Sequence, residues 1–194
     1  MAHIKTKILD YSKDPYGIIA DIVKQVTKHK KSGTALDIGP GRRGHPFFLS
    51  QKGFKVTVLD VSKKNLEALR QEAKKRKAQL RYVYSDVRKF RPRTKYDVVI
   101  ARHILHFLKP KEIVKTIEAM KGYTKPKGIN VVAVHTDKNP KGHRSKLFGK
   151  DELKKYYNGW EILYYHEGWG QPFRVEAGAK PVRRHKAELI ARKP

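Results

Sequence analysis

The chain has 194 residues, 45 lysines and arginines against 18 aspartates and glutamates, and a formal net charge of +27. It has no cysteine, which excludes a disulfide framework, cysteine-ligated zinc and any thiolate nucleophile. No apolar run reaches the roughly 20 residues of a membrane-spanning helix, and the N-terminal Met-Ala-His-Ile-Lys-Thr-Lys lacks the apolar stretch of a signal peptide.

These features predict a soluble, cytoplasmic protein with no membrane partner, a monomer or weak homodimer. Residues 1–194 are expected to form a single domain, with 1–31 as an N-terminal helical segment packed on it. Asp14-Pro15 reads as a helix N-cap and first helical residue, followed by Ile18, Ile19, Ile22, Val23 and Val26 at helical spacing. Strand one is predicted at 34–38, a helix at 45–52, and strand two at 55–59. Ser62 is placed to cap the next helix, whose buried stripe is Leu66, Leu69 and Ala73. Strand three is predicted at 80–84 and strand four at 96–101. Pro110 opens a helix with Ile113, Ile117 and Met120 on one face, and Gly128 precedes strand five at 129–134. Alternating strands and helices, with near-continuous apolar strands, predict a parallel sheet covered on both faces. After the polar stretch 137–150 come a short helix at 151–157 and strands at 160–165 and 187–191. No helical pattern separates the last two strands, so they are expected to pair antiparallel at one sheet edge.

The most informative segment is Thr34-Ala-Leu-Asp-Ile-Gly-Pro-Gly-Arg-Arg-Gly44, followed by Phe54-Lys-Val-Thr-Val-Leu-Asp60. A strand that ends in a glycine loop, then a second strand that ends in an acid, is the arrangement of a nucleoside-cofactor site. The glycines let backbone approach the ligand, and the second carboxylate is placed for ribose hydroxyls. Gly39, Gly41 and Gly44 fit the G-x-G-x-x-G spacing of a dinucleotide fold. Asp37, two residues before the first glycine, instead gives the D-x-G-x-G opening of class I S-adenosylmethionine (SAM) methyltransferases. A carboxylate there is within reach of the amino group of a methionine moiety, which a dinucleotide lacks. Asp37, Asp60 and Asp86 fall at the C-terminal ends of three successive strands, where open α/β sheets bind ligands.

From Thr34 onward the chain resembles the small-molecule branch of class I methyltransferases, and most of all the tellurite-resistance (TehB-like) methyltransferase family. The selective likeness is Phe148-Gly-Lys-Asp-Glu-Leu-Lys-Lys-Tyr-Tyr-Asn-Gly-Trp-Glu161, similar to that family's F-x-x-x-E-L-x-x-Y-Y-x-G-W-E segment. The resemblance implies an α/β, Rossmann-like domain with a mostly parallel seven-stranded sheet in the order 3-2-1-4-5-7-6, the last strand antiparallel, and helices on both faces. It implies SAM as the cofactor, with Gly39, Pro40 and Gly41 bordering its methionine part. Asp60 with Val61 would lie at the ribose, Asp86 with Val87 at the adenine, and Arg102 beside the cofactor. Arg174 aligns with an arginine of the family and, with Lys138 and His103, is a candidate for contact with the acceptor. Arg43 stands where the family usually has a third glycine.

Methyl transfer is an in-line displacement, so alignment of a lone pair dominates and a base is needed only for a protonated nucleophile. His103, just after strand four, is the candidate catalytic base; His106 reads as structural. The nine histidines show no metal-ligand spacing, and no metal is expected. No Asn-Pro-Pro-aromatic motif follows strand four, as expected of enzymes that methylate exocyclic amino groups, and cytosine C5 chemistry lacks its cysteine. A small-molecule acceptor is favoured. The +27 charge keeps two alternatives open, an RNA (tRNA or rRNA) methyltransferase and a non-catalytic basic nucleic-acid-binding module. Lys138, Lys141, His143, Arg144, Lys146 and Lys150 are expected to rim the cofactor mouth, and Lys74-Lys-Arg-Lys77 to lie on the far side.

Overall fold

The structure is a computed structural model and describes residues 9–10, 16–17, 19–140, 142, 144–174 and 176–194. Seven strands build the main sheet: β1 (Gly33–Ile38), β2 (Phe54–Asp60), β3 (Leu80–Tyr84), β4 (Tyr96–Arg102), β5 (Thr124–His135), β6 (Glu161–Trp169) and β7 (His185–Arg192). They lie in the order β3-β2-β1-β4-β5-β7-β6. Pairing is parallel from β3 to β5, whereas β7 runs antiparallel to both β5 and β6. This is the order expected, and the fold is that of class I methyltransferases.

Period-two alternation divides each central strand between two cores. Leu36, Ile38, Val99 and Ala101 join one face, packed on Ile113, Ile117 and Met120 of α4 (Pro110–Tyr123) and on Leu153 of the short α5 (Glu152–Lys155). Ala35, Val56, Val58, Val98 and Ile100 join the other. There they meet Ile22, Val23 and Val26 of α1 (Asp21–His29), Leu49 of α2 (His45–Gln51) and Leu66 of α3 (Lys63–Arg76). Both faces of these strands are therefore out of water, which explains why they read as apolar runs.

Several boundaries move from their predicted positions. The first helix begins at Asp21 with Ala20 as an N-cap that makes no side-chain hydrogen bond, so the cap expected at Asp14-Pro15 does not start it. Asp14, Pro15 and Ile18 lie outside the described residues. β5 starts five residues earlier than predicted, at Thr124. The register with β4 shifts between Tyr96 and Val98, and Lys127 adopts a left-handed conformation. β6 runs on to Trp169 because β7 pairs with it along its length. Ser62 does cap α3, its hydroxyl accepting from the Asn65 amide at 3.2 Å.

A buried polar chain fixes β5 against α4 and the segment after α5. Thr124 Oγ1 donates to Asn130 Oδ1 at 2.6 Å, and Asn130 Nδ2 donates to the Tyr157 hydroxyl at 3.1 Å, all three residues being buried. Thr124 Oγ1 also lies 2.8 Å from the Met120 carbonyl of α4, so Asn130→Ala leaves the buried Tyr157 hydroxyl without its partner, and the expected loss of about 1–3 kcal/mol for an unsatisfied buried group is measurable by urea unfolding at unchanged m-value.

Candidate cofactor and acceptor site

The loop after β1 turns sharply at Gly39 and Gly41, whose φ values of +62° and +57° disfavour any other residue. A Cβ on Gly39 would also strike Ile104, while the missing side chain of Gly41 faces open space. Gly44 gives way to α2 with a helical φ, and a Cβ there would collide with the Tyr16 carbonyl. The third glycine of the loop therefore serves chain packing.

Three cavities share His103 in their linings, and two of them border this loop. The first, about 120 Å³, is bounded by Asp37, Gly39, Pro40, Gly41, Arg43, His45, Arg102 and His103. Asp37 is buried with its Oδ2 lacking a hydrogen-bond partner, and Arg102 is mostly buried with its Nε lacking one. Burial raises the Asp37 carboxyl to about 7, against the lowering influence of Arg102, and Asp60 adds to the rise. One small space thus holds an unmet acceptor and an unmet donor of opposite charge. An α-amino acid zwitterion satisfies both: its ammonium answers Asp37 and its carboxylate answers Arg102.

Arg102 is held from several sides. Its Nη1 contacts His45 Nε2 at 2.5 Å, and its Nη2 lies 3.5 Å from Glu188 Oε1. Glu188, buried on β7, takes Lys186 Nζ on its other oxygen at 2.7 Å. Burial, then Arg102, keeps both His45 and His103 well below the usual imidazole pKa.

The second cavity, about 410 Å³, continues past Asp60, Val61, Asn65, Ser85, Asp86, Val87 and Phe107. Asp60 is buried, its carboxylate oriented by the Ser62 amide at 2.8 Å and by Asn65 Nδ2 at 3.3 Å. Val61 and Phe107 are 66% and 46% exposed, an apolar lining suited to a flat ring. Asp86 lines this cavity together with Val87 and is also bound by a neighbouring arginine. Arg88 binds it through the backbone amide, Nε and Nη2, which holds its carboxyl down at about 2, and Arg88 also reaches Glu112 at 2.9 Å. Most of its acceptor capacity is already spent, which leaves the cavity's apolar lining and backbone for a base.

The third cavity, about 360 Å³, opens on the other side of His103 toward Ala20, Lys24, Phe173, Arg184 and Lys186. Its positive lining suits an anionic or electron-rich small molecule. The loop beyond β5 supplies Lys138, which is exposed and outside this lining, while Lys141 and His143 lie outside the described residues. Arg144 donates to His135 Nδ1 at 2.8 Å and Lys146 pairs with Glu152 at 3.0 Å, so part of the rim charge is already committed. Arg174 lies in a two-residue strand, paired with Leu9–Asp10, and its Nε donates to the Ala179 carbonyl at 2.9 Å. Phe173 lines the cavity in its place.

The premise that the histidines are scattered is corrected by the fold. Parallel pairing of β4 and β5 brings His103, His106 and His135 together, with one ligand nitrogen of each within 4.8 Å of the others. The sequence reading also missed His45, Arg184, Lys186 and Glu188. Glu188 alone left a signal, as an isolated acid in the apolar strand Ala187-Glu-Leu-Ile-Ala191.

The family model "Tellurite resistance protein TehB" matches residues 4–189. The chain belongs to the TehB family. It is 26% identical over 181 residues to the probable S-adenosyl-L-methionine-dependent methyltransferase TehB of Haemophilus influenzae, covering 92% of this chain and 62% of that protein. It therefore spans about three-fifths of that relative's length. The crystal structure of TehB from H. influenzae superposes with a TM-score of 0.82 at 25% identity, over 95% of this chain and 66% of that one. The N-methyltransferase NodS from Bradyrhizobium japonicum, in complex with S-adenosyl-L-homocysteine, shares the fold with a TM-score of 0.70 at 16% identity, over 89% of this chain and 84% of that one.

Binding of a methionine ammonium requires Asp37 to be ionised. With its carboxyl at about 7, SAM affinity is expected to be constant above that pH and to fall below it, approaching tenfold per pH unit. Calorimetry across pH 5–8 checks this, and Asp37→Asn should both weaken binding and flatten the slope.

Proposed function

We propose that this chain is a SAM-dependent methyltransferase acting on a small-molecule acceptor. The observation that carries the reading is the pairing of two buried, unsatisfied groups, Asp37 Oδ2 and Arg102 Nε, in one small cavity that leads past His103 into a cleft lined by Asp60 and Val61. This order of charge, then carboxylate, then apolar surface follows the amino acid, ribose and base of the cofactor. When bound, SAM supplies an electrophilic methyl group on a sulfonium.

The chain's residues have three tasks. Asp37 and Arg102 hold the amino-acid end, with Gly39, Pro40 and Gly41 as its backbone wall. Asp60, pre-oriented by Ser62 and Asn65, accepts from ribose hydroxyls. On the opposite side of His103, Arg184 and Lys186 draw an electron-rich acceptor into the third cavity and fix its approach. Alignment of this kind is the larger part of methyl-transfer catalysis.

His103 stands at the junction and contacts the acceptor. Burial and Arg102 lower its proton affinity, which makes it a poor base and a better neutral hydrogen-bonding wall. The reaction accordingly favours an acceptor that arrives with a free lone pair. Arg174 and Lys138 belong to the outer approach to this cavity.

Calorimetry with SAM, S-adenosylhomocysteine and NAD tests the cofactor assignment, and only the first two should bind. Asp60→Ala is expected to cost about 1.5–3 kcal/mol of SAM affinity, the range for a hydrogen bond to a charged group. With methyl-labelled SAM and a mixture of small anions and RNA, label should pass to the low-molecular-weight fraction. Label confined to RNA would overturn the acceptor class, and tight NAD binding would overturn the whole reading.

A further inference from the structure

The end of the sheet opposite the cofactor site, where β1 to β5 begin, carries positive charge from several elements. Lys28 closes α1, Lys74 and Lys75 close α3, and Lys55, Arg81 and Lys125 lie in the first residues of β2, β3 and β5. The acids beside them are already paired: Glu72 with Arg76 at 2.6 Å, Asp97 with Lys125 at 2.8 Å and Glu161 with Arg192 at 3.0 Å. Lysines in the last turn of a helix offset its dipole, which accounts for Lys28, Lys74 and Lys75. It does not account for Lys55, Lys77, Arg81, Lys95 and Lys127, which are exposed, lie in no helix and have no carboxylate partner among the described residues.

Three of these cations line one groove. It consists of two adjoining spaces, of about 650 and 540 Å³, that share Lys77, Gln79 and Leu80. Parallel register sets Arg81 opposite Thr57, and Lys55 lies two residues before Thr57, so both cations stand on one face of the sheet. Lys77 joins them from the end of α3, in a left-handed conformation with a φ of +51°. Such a position favours glycine. The chain holds a lysine there instead, which puts an ammonium where the two spaces join. No aspartate or glutamate lines either space. None of the described large apolar side chains that are exposed lines the groove, so nothing in it would enter a membrane.

We propose that this groove binds the phosphate backbone of single-stranded RNA without regard to sequence, as a second binding surface at the end of the sheet remote from the cofactor. A positively charged groove follows one strand by its phosphates. Ser50, Gln79 and Thr94 add uncharged hydrogen-bonding groups along it, which suit the ribose 2′-hydroxyls. No aromatic ring in the lining is exposed to stack a base, so the bases face solvent and go unread. RNA held here is a tether and not the methyl acceptor, and the inference stands independently of the methyl-transfer reading.

Fluorescence anisotropy of a labelled oligouridylate with the full chain, across a series of KCl concentrations, tests the surface. Each phosphate contact to a single strand adds about 0.7 to the slope of log affinity against log salt, so Lys55→Glu/Lys77→Glu/Arg81→Glu should flatten the slope by about 2 and weaken binding at least roughly 100-fold at about 0.1 M salt. The same reversal of Lys64, Lys89 and Lys138, exposed at the cofactor end, should change it little. Lys77→Gly separates charge from folding. Glycine relieves the left-handed backbone, so the melting temperature should rise while RNA affinity falls about fivefold at about 0.1 M salt. Equal losses from the two triple variants would mean diffuse attraction and overturn the groove, as would undiminished RNA affinity in Lys77→Gly or tighter binding to phosphatidylserine vesicles than to oligouridylate. An oligodeoxythymidylate of the same length should bind more weakly, and equal affinity would overturn the choice of RNA.

Discussion

An acid and a guanidinium, buried at the ends of adjacent strands and each short of one hydrogen bond, set the terms for the rest of this molecule. Asp37 is the penultimate residue of β1, paired with Ile100 of β4, and Arg102 is the last residue of β4. Burial without full pairing is costly, and the neighbouring structure reads as the means of bearing that cost. His45 caps one nitrogen of Arg102, Glu188 stands behind another, and the glycine loop closes over Asp37. Such a pair is stable enough to fold around while each partner keeps one buried atom without a hydrogen bond.

The polarity of the site follows from strand direction. In a parallel sheet every strand from β3 to β5 ends at one rim, so Asp37, Asp60, Ser85-Asp86, His103 and His135 converge without any long loop to carry them. The glycines decide where a ligand's backbone-facing edge can lie, and the exposed Val61 and Phe107 decide where its flat face can lie. The chain's overall charge adds to this only locally, where Arg184 and Lys186 enter the third cavity. Much of the remaining charge lies on exposed helix faces, such as Lys74 and Lys75 in the last turn of α3.

What could be read from the sequence was what local spacing encodes. Asp37, Gly39, Gly41 and Asp60 sit within one strand-loop-helix-strand unit, and the apolar runs flanking them fix the strand ends to within a residue. The strand order came through family likeness, and the pairing of β7 with β6 from the absence of a helical pattern between them. Features that depend on packing were hidden. The Asp14-Pro15 pair has the chemistry of a helix start but lies outside the described residues, and the described helix begins at Asp21, where Ile22 and Val23 meet the sheet. Asp86 has the position of a ligand contact, yet Arg88 two residues on captures it. Glu188 and His135 act on Arg102 and His103 across 86 and 32 positions of sequence, distances that no spacing rule covers.

The placement of β7 has a consequence for how the site comes into being. β7 follows β6 in the chain but inserts between β5 and β6 in the sheet, so β6 has no partner until β7 is docked. Glu188 and Lys186 arrive with that strand. β7 lies C-terminal to every strand of the parallel half, so Glu188 is synthesised after Asp37 and Arg102. Without β7, Arg102 has His45 and Asp37 beside it but not Glu188, and the edge of β5 is unpaired. Docking of that strand therefore closes the sheet and brings Glu188 to within 3.5 Å of Arg102 in the same event.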